Sequence, residues 1–195
     1  MSTILSRLMN EVLIIIYINT IVWLLVPIRQ IKTNFFLFFV ILGALDPIYI
    51  SCFYLFKLNV ETIFLLGTGF LTFGAFINFN TKHRLVLSSI ITILCVISIL
   101  YYNEYYLEIE LIIHLAIFFN FLTILLKNFS THRDIKYFSL LLVLYEISLL
   151  VKFYLTFSQT QLGPSYFHFT SIIQIIIGIF FLFINEKNSK SISFN

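Results

Sequence analysis

The sequence predicts an all-α integral membrane protein: seven transmembrane helices in a single domain, residues 1–195. Three observations carry this. Hydrophobic residues make up 60% of the chain, against roughly 45–50% in a soluble domain. Charged residues are 11%, about half the usual quarter. Seven apolar runs follow one another, each close to the roughly 20 residues that cross a ~30 Å hydrocarbon layer. In water such a chain would have too little polar surface to cover its core, so the expected solvent is lipid. The connections are too short to hold a second, soluble domain.

The runs fall near 9–27, 34–56, 60–79, 85–102, 107–126, 136–157 and 167–185. The first contains Asn19 and ends in Val26-Pro27-Ile28-Arg29-Gln30-Ile31-Lys32-Thr33-Asn34. The second carries Asp46-Pro47, where proline removes a backbone donor and kinks the helix. The third holds Gly67, Gly69 and Gly74 with Thr68 and Thr72 between them, small residues that permit close helix approach. The fourth is read as a linker. The fifth carries Glu110 and His114 one turn apart, and Asn120. The sixth carries Glu146 and Lys152. Gly163-Pro164 reads as a turn before the seventh, which carries Gln174. The two cysteines, Cys52 and Cys95, sit inside spans at unrelated spacing and read as apolar thiols, not as a disulfide or zinc site.

Basic residues set the expected orientation. Arg29, Lys32, Lys82, Arg84, Lys127, Arg133, Lys136, Lys187 and Lys190 fall on one side, and Arg7, Lys57 and Lys152 on the other, a split of nine to three. Positive loops stay cytoplasmic, so the N-terminus is expected outside and the C-terminus inside. Glu11, Glu61, Glu104, Glu108 and Glu110 lean outward, and Asp134 and Glu186 inward. Tyr54, Tyr101, Tyr102, Tyr105, Tyr106, Tyr154 and Tyr166 gather at the outer ends, as amphipathic rings do at the headgroup level. The net charge of +3 needs no nucleic-acid partner: the basic residues are spread over four cytoplasmic segments, each consistent with topology and contact with anionic lipid. With Arg7 its single basic residue and no small-residue cleavage pattern, the N-terminal segment is not expected to be a cleaved signal peptide. Abundant Ile, Phe, Asn and Lys, with A/T-rich codons, point to a bacterial inner (plasma) membrane.

The second and sixth spans match at an offset of 100: Asp46 with Glu146, Phe38 and Leu42 with Phe138 and Leu142, and Phe53-Tyr54-Leu55 with Phe153-Tyr154-Leu155. The third and seventh match at an offset of 107, with Phe73, Phe76, Ile77 and Asn78 against Phe180, Phe183, Ile184 and Asn185. Asn19 and Asn120 occupy the first and fifth. The expectation is a 3+1+3 parallel repeat, an arrangement found among transporters. With Pro27 and Gln30 followed by basic residues, this layout resembles the SWEET and PQ-loop transporter group. Here Pro and Gln are not adjacent, the fifth span has no counterpart of the motif, and the sixth has no proline matching Pro47. The resemblance implies a small-molecule transporter. The layout also occurs in opsins and seven-helix receptors, but residues 167–185 contain no lysine for a retinal Schiff base.

A charge at the bilayer centre costs at least ~2.5–3.5 kcal/mol and usually faces a partner or water. Asp46 lies about 12 residues into its span, roughly 18 Å at 1.5 Å per residue, and Glu146 sits at similar depth. Asn19 and Gln174 share that level, so these four are candidates to line one ligand cavity. Against this stands the plainer reading of protonated, hydrogen-bonded interhelical glue. Lys152, near an outer end, either snorkels or meets Asp46 or Glu110. Glu110 and His114 share a helix face, and with His168 they have the chemistry of an outward-facing metal or proton site, though two histidines and a carboxylate at unrelated spacing are a weak metal signal. His83 and His132 belong to cytoplasmic loops. The candidate ligand residues are thus Asp46, Glu146, Gln174, Asn19, Lys152 and His114.

No catalytic or phosphate-binding motif is present, and no cofactor or metal is expected. Three functions compete: a small-molecule transporter, a seven-helix sensor or accessory subunit acting through a membrane partner or a second copy of itself, and a lipid-modifying enzyme using Asp46, Glu146 or His114 as acid or base. The ten or so polar residues after the seventh span are too short for an output domain.

Overall fold

A computed structural model describes residues 2–57, 60–76, 86, 89–90, 92–94, 96–97, 105–157 and 163–193. Ile77, Asn78, Lys82, His83, Arg84, Cys95, Tyr101, Tyr102 and Glu104 lie outside the described residues, as do the side chains of Arg7, Glu11, Glu61, His132 and Tyr166. The fold is all-α. Its helices are α1 (Ser2–Arg29), α2 (Phe36–Phe56), α3 (Val60–Phe76), α5 (Tyr106–His132), α6 (Tyr137–Phe157) and α7 (Gly163–Phe183), with α4 between α3 and α5 at described residues 86, 89–90, 92–94 and 96–97. Phe36–Phe56, Tyr106–Thr131 and Tyr137–Thr156 are long and apolar enough to cross a membrane, with mean hydropathies of 2.1, 2.3 and 1.9.

The helix ends follow local chemistry. Lys57 and Arg133 adopt the left-handed conformation that stops a helix (φ 52° and 53°), and the Arg133 N–H returns to the Phe129 carbonyl at 2.8 Å. Gly163-Pro164, expected as a turn, instead opens α7. Proline in a first turn forfeits only a donor that would have no partner within the helix.

Six helices pack in chain order into a closed ring: α1 on α2, α2 on α3, α3 on α5, α5 on α6, α6 on α7, and α7 back on α1. α4 leans on α3, where Thr92 Oγ1 donates to the Gly69 carbonyl at 3.3 Å, and its described apolar residues, among them Val86, Ile93 and Leu94, are exposed. The helices α1 and α7 run parallel. Ile14 and Ile15, midway along α1, adjoin His168 and Ile172 in the first half of α7, while Gln30, just past the end of α1, reaches Phe181 and Ile184 at the end of α7.

One end of the ring is filled with rings of another kind. Trp23, Phe35, Phe38, Phe39, Phe121, Phe138 and Phe181 are all buried. Their centroids lie 4.7–6.5 Å from one another or from Tyr145 in tilted, edge-on and stacked pairs, spacings at which aromatic pairs attract. Gln30, fully buried, locks this end: Nε2 donates to the Phe181 and Ile184 carbonyls at 2.8 and 3.0 Å, satisfying groups that the end of α7 leaves open. Asn34 adds N–H and Nδ2 bonds to Glu186, both 2.8 Å. Strands β1 (Asp134–Lys136) and β2 (Ser191–Ser193) pair antiparallel and tie the tail to the α5–α6 connection.

Among the described residues, large apolar side chains cover much of the outside, while several polar ones are buried beside the apolar core. Ile14, Ile18, Ile21, Ile28, Ile112 and Phe119 are exposed, while Thr72, Glu110, His114, Asn120, Glu146 and Gln174 are buried.

Candidate functional site

A cavity of about 490 Å³ opens inside the ring, with walls from α1, α2, α3, α5, α6 and α7. It begins above the aromatic packing, at Trp23 and Tyr145, and reaches the end of the bundle where α5 starts at Tyr106 and α6 nears its close at Thr156. The basic residues Arg29, Lys127 and Arg133 lie at the opposite end.

Helical spacing places the lining. On α6, Tyr145, Leu149, Lys152, Phe153 and Thr156 recur at intervals of three or four and form one stripe. Glu146 stands at the edge of this stripe, about 20° round the helix from Phe153; it does not line the cavity itself but meets His114 of α5. On α5, Glu110 and His114 share a face and both line the cavity. On α1 the same spacing joins Asn19 and Trp23, and Trp23 Nε1 donates to Asn19 Oδ1 at 3.1 Å.

The polar groups are held in place by few contacts. Thr20 Oγ1 donates to Asp46 Oδ2 at 3.1 Å, and Asn19 also hydrogen-bonds Asp46. Lys152, half-buried on the wall, is within electrostatic reach of both Asp46 and Glu110. Behind the wall His114 Nδ1 lies 2.9 Å from Glu146 Oε2, with Glu146 fully buried. The His114 ring stacks on Phe153 at 5.0 Å. Two lining residues, Glu110 and Gln174, are 3% and 4% exposed, and each keeps a buried polar atom, Oε1 and Nε2, without a hydrogen-bond partner. Such groups are rare in folded proteins and call for a water, an ion or a ligand, or for strain, to account for them; Gln30 Oε1 and Glu146 Oε1, away from the cavity, are also without a partner.

Five of the six candidates from the sequence, Asn19, Asp46, His114, Lys152 and Gln174, lie on the cavity wall. Glu146 does not; it touches the cavity only through His114. His168 is not brought to Glu110 and His114 but sits in a separate shallow depression with Ile14, Ile15 and Ile172. Among the described residues no three His, Cys, Asp or Glu side chains gather as a metal site. Sequence reasoning did not single out Trp23 or Tyr145, and read Tyr106 as part of an interface belt and Phe153 as part of the repeat; all four line the cavity. In a chain with 24 Phe and 11 Tyr an aromatic carries little signal, although Trp23, one turn from Asn19, was within reach.

No family model, curated protein or solved structure matches the chain. The likeness to PQ-loop transporters therefore rests on the helix layout, Pro27 and Gln30. In this structure Gln30 is a tie between α1 and α7.

Proposed function

We propose that this chain is a seven-span membrane protein, N-terminus outside and C-terminus inside, that binds a small molecule in the ring and carries it across the bilayer. The observation that carries the reading is a half-open cavity with a polar wall, closed toward the basic end by the aromatic packing. An apolar perimeter around a polar interior is what lipid as solvent selects. The wall also answers the plainer reading of interhelical glue. Asp46 is hydrogen-bonded to α1, but Glu110 and Gln174 retain polar atoms that no other helix satisfies.

The ring order supports a 3+1+3 repeat, since it maps α1–α2–α3 onto α5–α6–α7 and makes the α3–α5 junction the counterpart of α7–α1. Arg29, Lys127 and Arg133, at the end away from the cavity, support an outward-facing mouth, with Lys57 and Lys152 the exceptions at the other end. In transport the aromatic packing is then the inner gate.

Two experiments test the reading. In a background without Cys52 and Cys95, Thr156→Cys is expected to react with a membrane-impermeant thiol reagent added outside intact cells; reaction only from the cytoplasmic side refutes the orientation. Proteoliposomes incubated with a mixed small-molecule extract are expected to trap at least one compound that the Asp46→Asn variant does not. Identical contents for wild type, Asp46→Asn and empty vesicles refute transport.

A further inference from the structure

We propose that the cavity is built for a small amine: a protonated amino group, a hydrogen-bond acceptor close to it, and an apolar or aromatic body. This rests on the cavity being a ligand site, as argued above, and goes further by naming the ligand's chemistry.

Two carboxyl groups, Asp46 and Glu110, reach the cavity from different helices, and a third, Glu146, stands behind His114. Among the described residues only Lys152 brings an ammonium to this wall, and it lies within reach of both acids. One cation facing two carboxyls leaves acceptor capacity over. An ammonium brings three donors and a positive charge to such a pair, and charge-assisted bonds are the strong ones. An incoming carboxylate would add a third carboxyl beside Asp46 and Glu110, with Lys152 already shared between them.

The unpartnered atoms give the same answer independently. Glu110 Oε1 lacks a donor, which an amino group supplies. Gln174 Nε2 lacks an acceptor, which a hydroxyl or carbonyl oxygen on the ligand supplies. Around these the wall is apolar and aromatic. Trp23 and Tyr145 lie 4.7 Å apart at one end of the cavity, and Tyr106 and Phe153 also line it. Aromatic faces attract ammonium groups and accept apolar bodies equally well. At about 490 Å³ the cavity is within the range of roughly 300–1,000 Å³ typical of small-molecule sites.

The test uses the full chain purified in nanodiscs and four probes of shared shape: phenylalaninol, phenethylamine, 3-phenyl-1-propanol and 3-phenylpropionate. Binding is read by titration calorimetry. Phenylalaninol is expected to bind most tightly. Phenethylamine, without the acceptor, should bind about tenfold more weakly, the equivalent of one lost hydrogen bond. 3-Phenyl-1-propanol, without the charge, should lose at least tenfold, and 3-phenylpropionate should not bind. Glu110→Gln should weaken phenylalaninol at least tenfold while leaving 3-phenyl-1-propanol unchanged. The probe series on the wild-type chain does not depend on any variant folding. Equal binding of the alcohol and the amino alcohol overturns the amine assignment while leaving a ligand site in place. Tighter binding of 3-phenylpropionate overturns it in favour of Lys152 as anchor. Failure of all four to bind at millimolar concentration overturns it as well. The proteoliposome trapping experiment judges the transport reading separately, so the two failures are distinguishable.

Discussion

The His114–Glu146 pair offers the sharpest test of how the interior is held. Two expectations compete. Hydrogen bonds between membrane helices average ~0.6 kcal/mol and rarely exceed ~1.7. Breaking a buried ion pair by removing one partner costs about 3–5 kcal/mol. The geometry favours the larger figure. Glu146 is fully buried, its Oε1 has no partner, and its Oε2 contacts His114 Nδ1 at 2.9 Å. His114→Phe preserves volume and the stack on Phe153 but strands both carboxyl oxygens, so it should cost about 3 kcal/mol. Glu146→Leu strands one ring nitrogen of a residue that borders the cavity, and should cost about 1–2 kcal/mol. The double variant removes both polar groups together and should lie within ~1 kcal/mol of wild type. The coupling energy is then about 3–5 kcal/mol. Equilibrium unfolding in mixed detergent micelles measures all four corners of the cycle. A coupling below ~1 kcal/mol, or a His114→Phe chain as stable as wild type, refutes the argument.

Three further outcomes follow from packing and caps. A Cβ on Gly43 would fall on the Trp23 carbonyl oxygen, and one on Gly74 would lie 2.8 Å from the Phe38 Cα. Backbone cannot step aside, so Gly43→Ala and Gly74→Ala should each cost about 1–3 kcal/mol in thermal unfolding. Gly178→Ala meets the Val22 Cγ1 at 2.7 Å, a side chain that can shift, and should cost under ~1 kcal/mol. Equal losses at the three sites would contradict this ranking. Gln30→Leu removes both bonds to the end of α7 and should destabilise by about 1–3 kcal/mol, with earlier proteolysis of the tail as a second readout. Glu186→Gln, at an exposed pair of hydrogen bonds with Asn34, should move stability by no more than about 0.5 kcal/mol.

The helices were legible because lipid-sized apolar runs are long and unbroken, and the ends were less so. The fifth run was read to 126, whereas α5 continues to His132; hydropathy measures the apolar length, not where backbone hydrogen bonding stops. The β1–β2 pairing joins Asp134–Lys136 to Ser191–Ser193, two short polar stretches far apart in sequence, and nothing local announces it. Depth was legible too, since rise per residue is fixed. Depth alone grouped Asn19, Asp46, Glu146 and Gln174; three of the four, Asn19, Asp46 and Gln174, line the cavity. Direction around the helix was not, because which face turns inward is decided by the neighbouring helices. Glu146 and Asp46 were taken as equals on depth, and only the structure separates them.

That separation carries an argument of its own. Residues matched at an offset of 100 keep their environment at the closed end, where Phe38 and Phe138 are both fully buried in the aromatic packing. Further along, Leu42 lines the cavity while Leu142 is buried in the core. At the acids the two helices part company. Asp46 faces the cavity with donors from α1, and Glu146 turns to His114 of α5. If both had faced inward with Glu110, three carboxyls would share one space with Lys152. With Glu146 placed against the His114 imidazole instead, two carboxyls, Asp46 and Glu110, line the cavity with Lys152, so α2 and α6 differ where their matched acids stand.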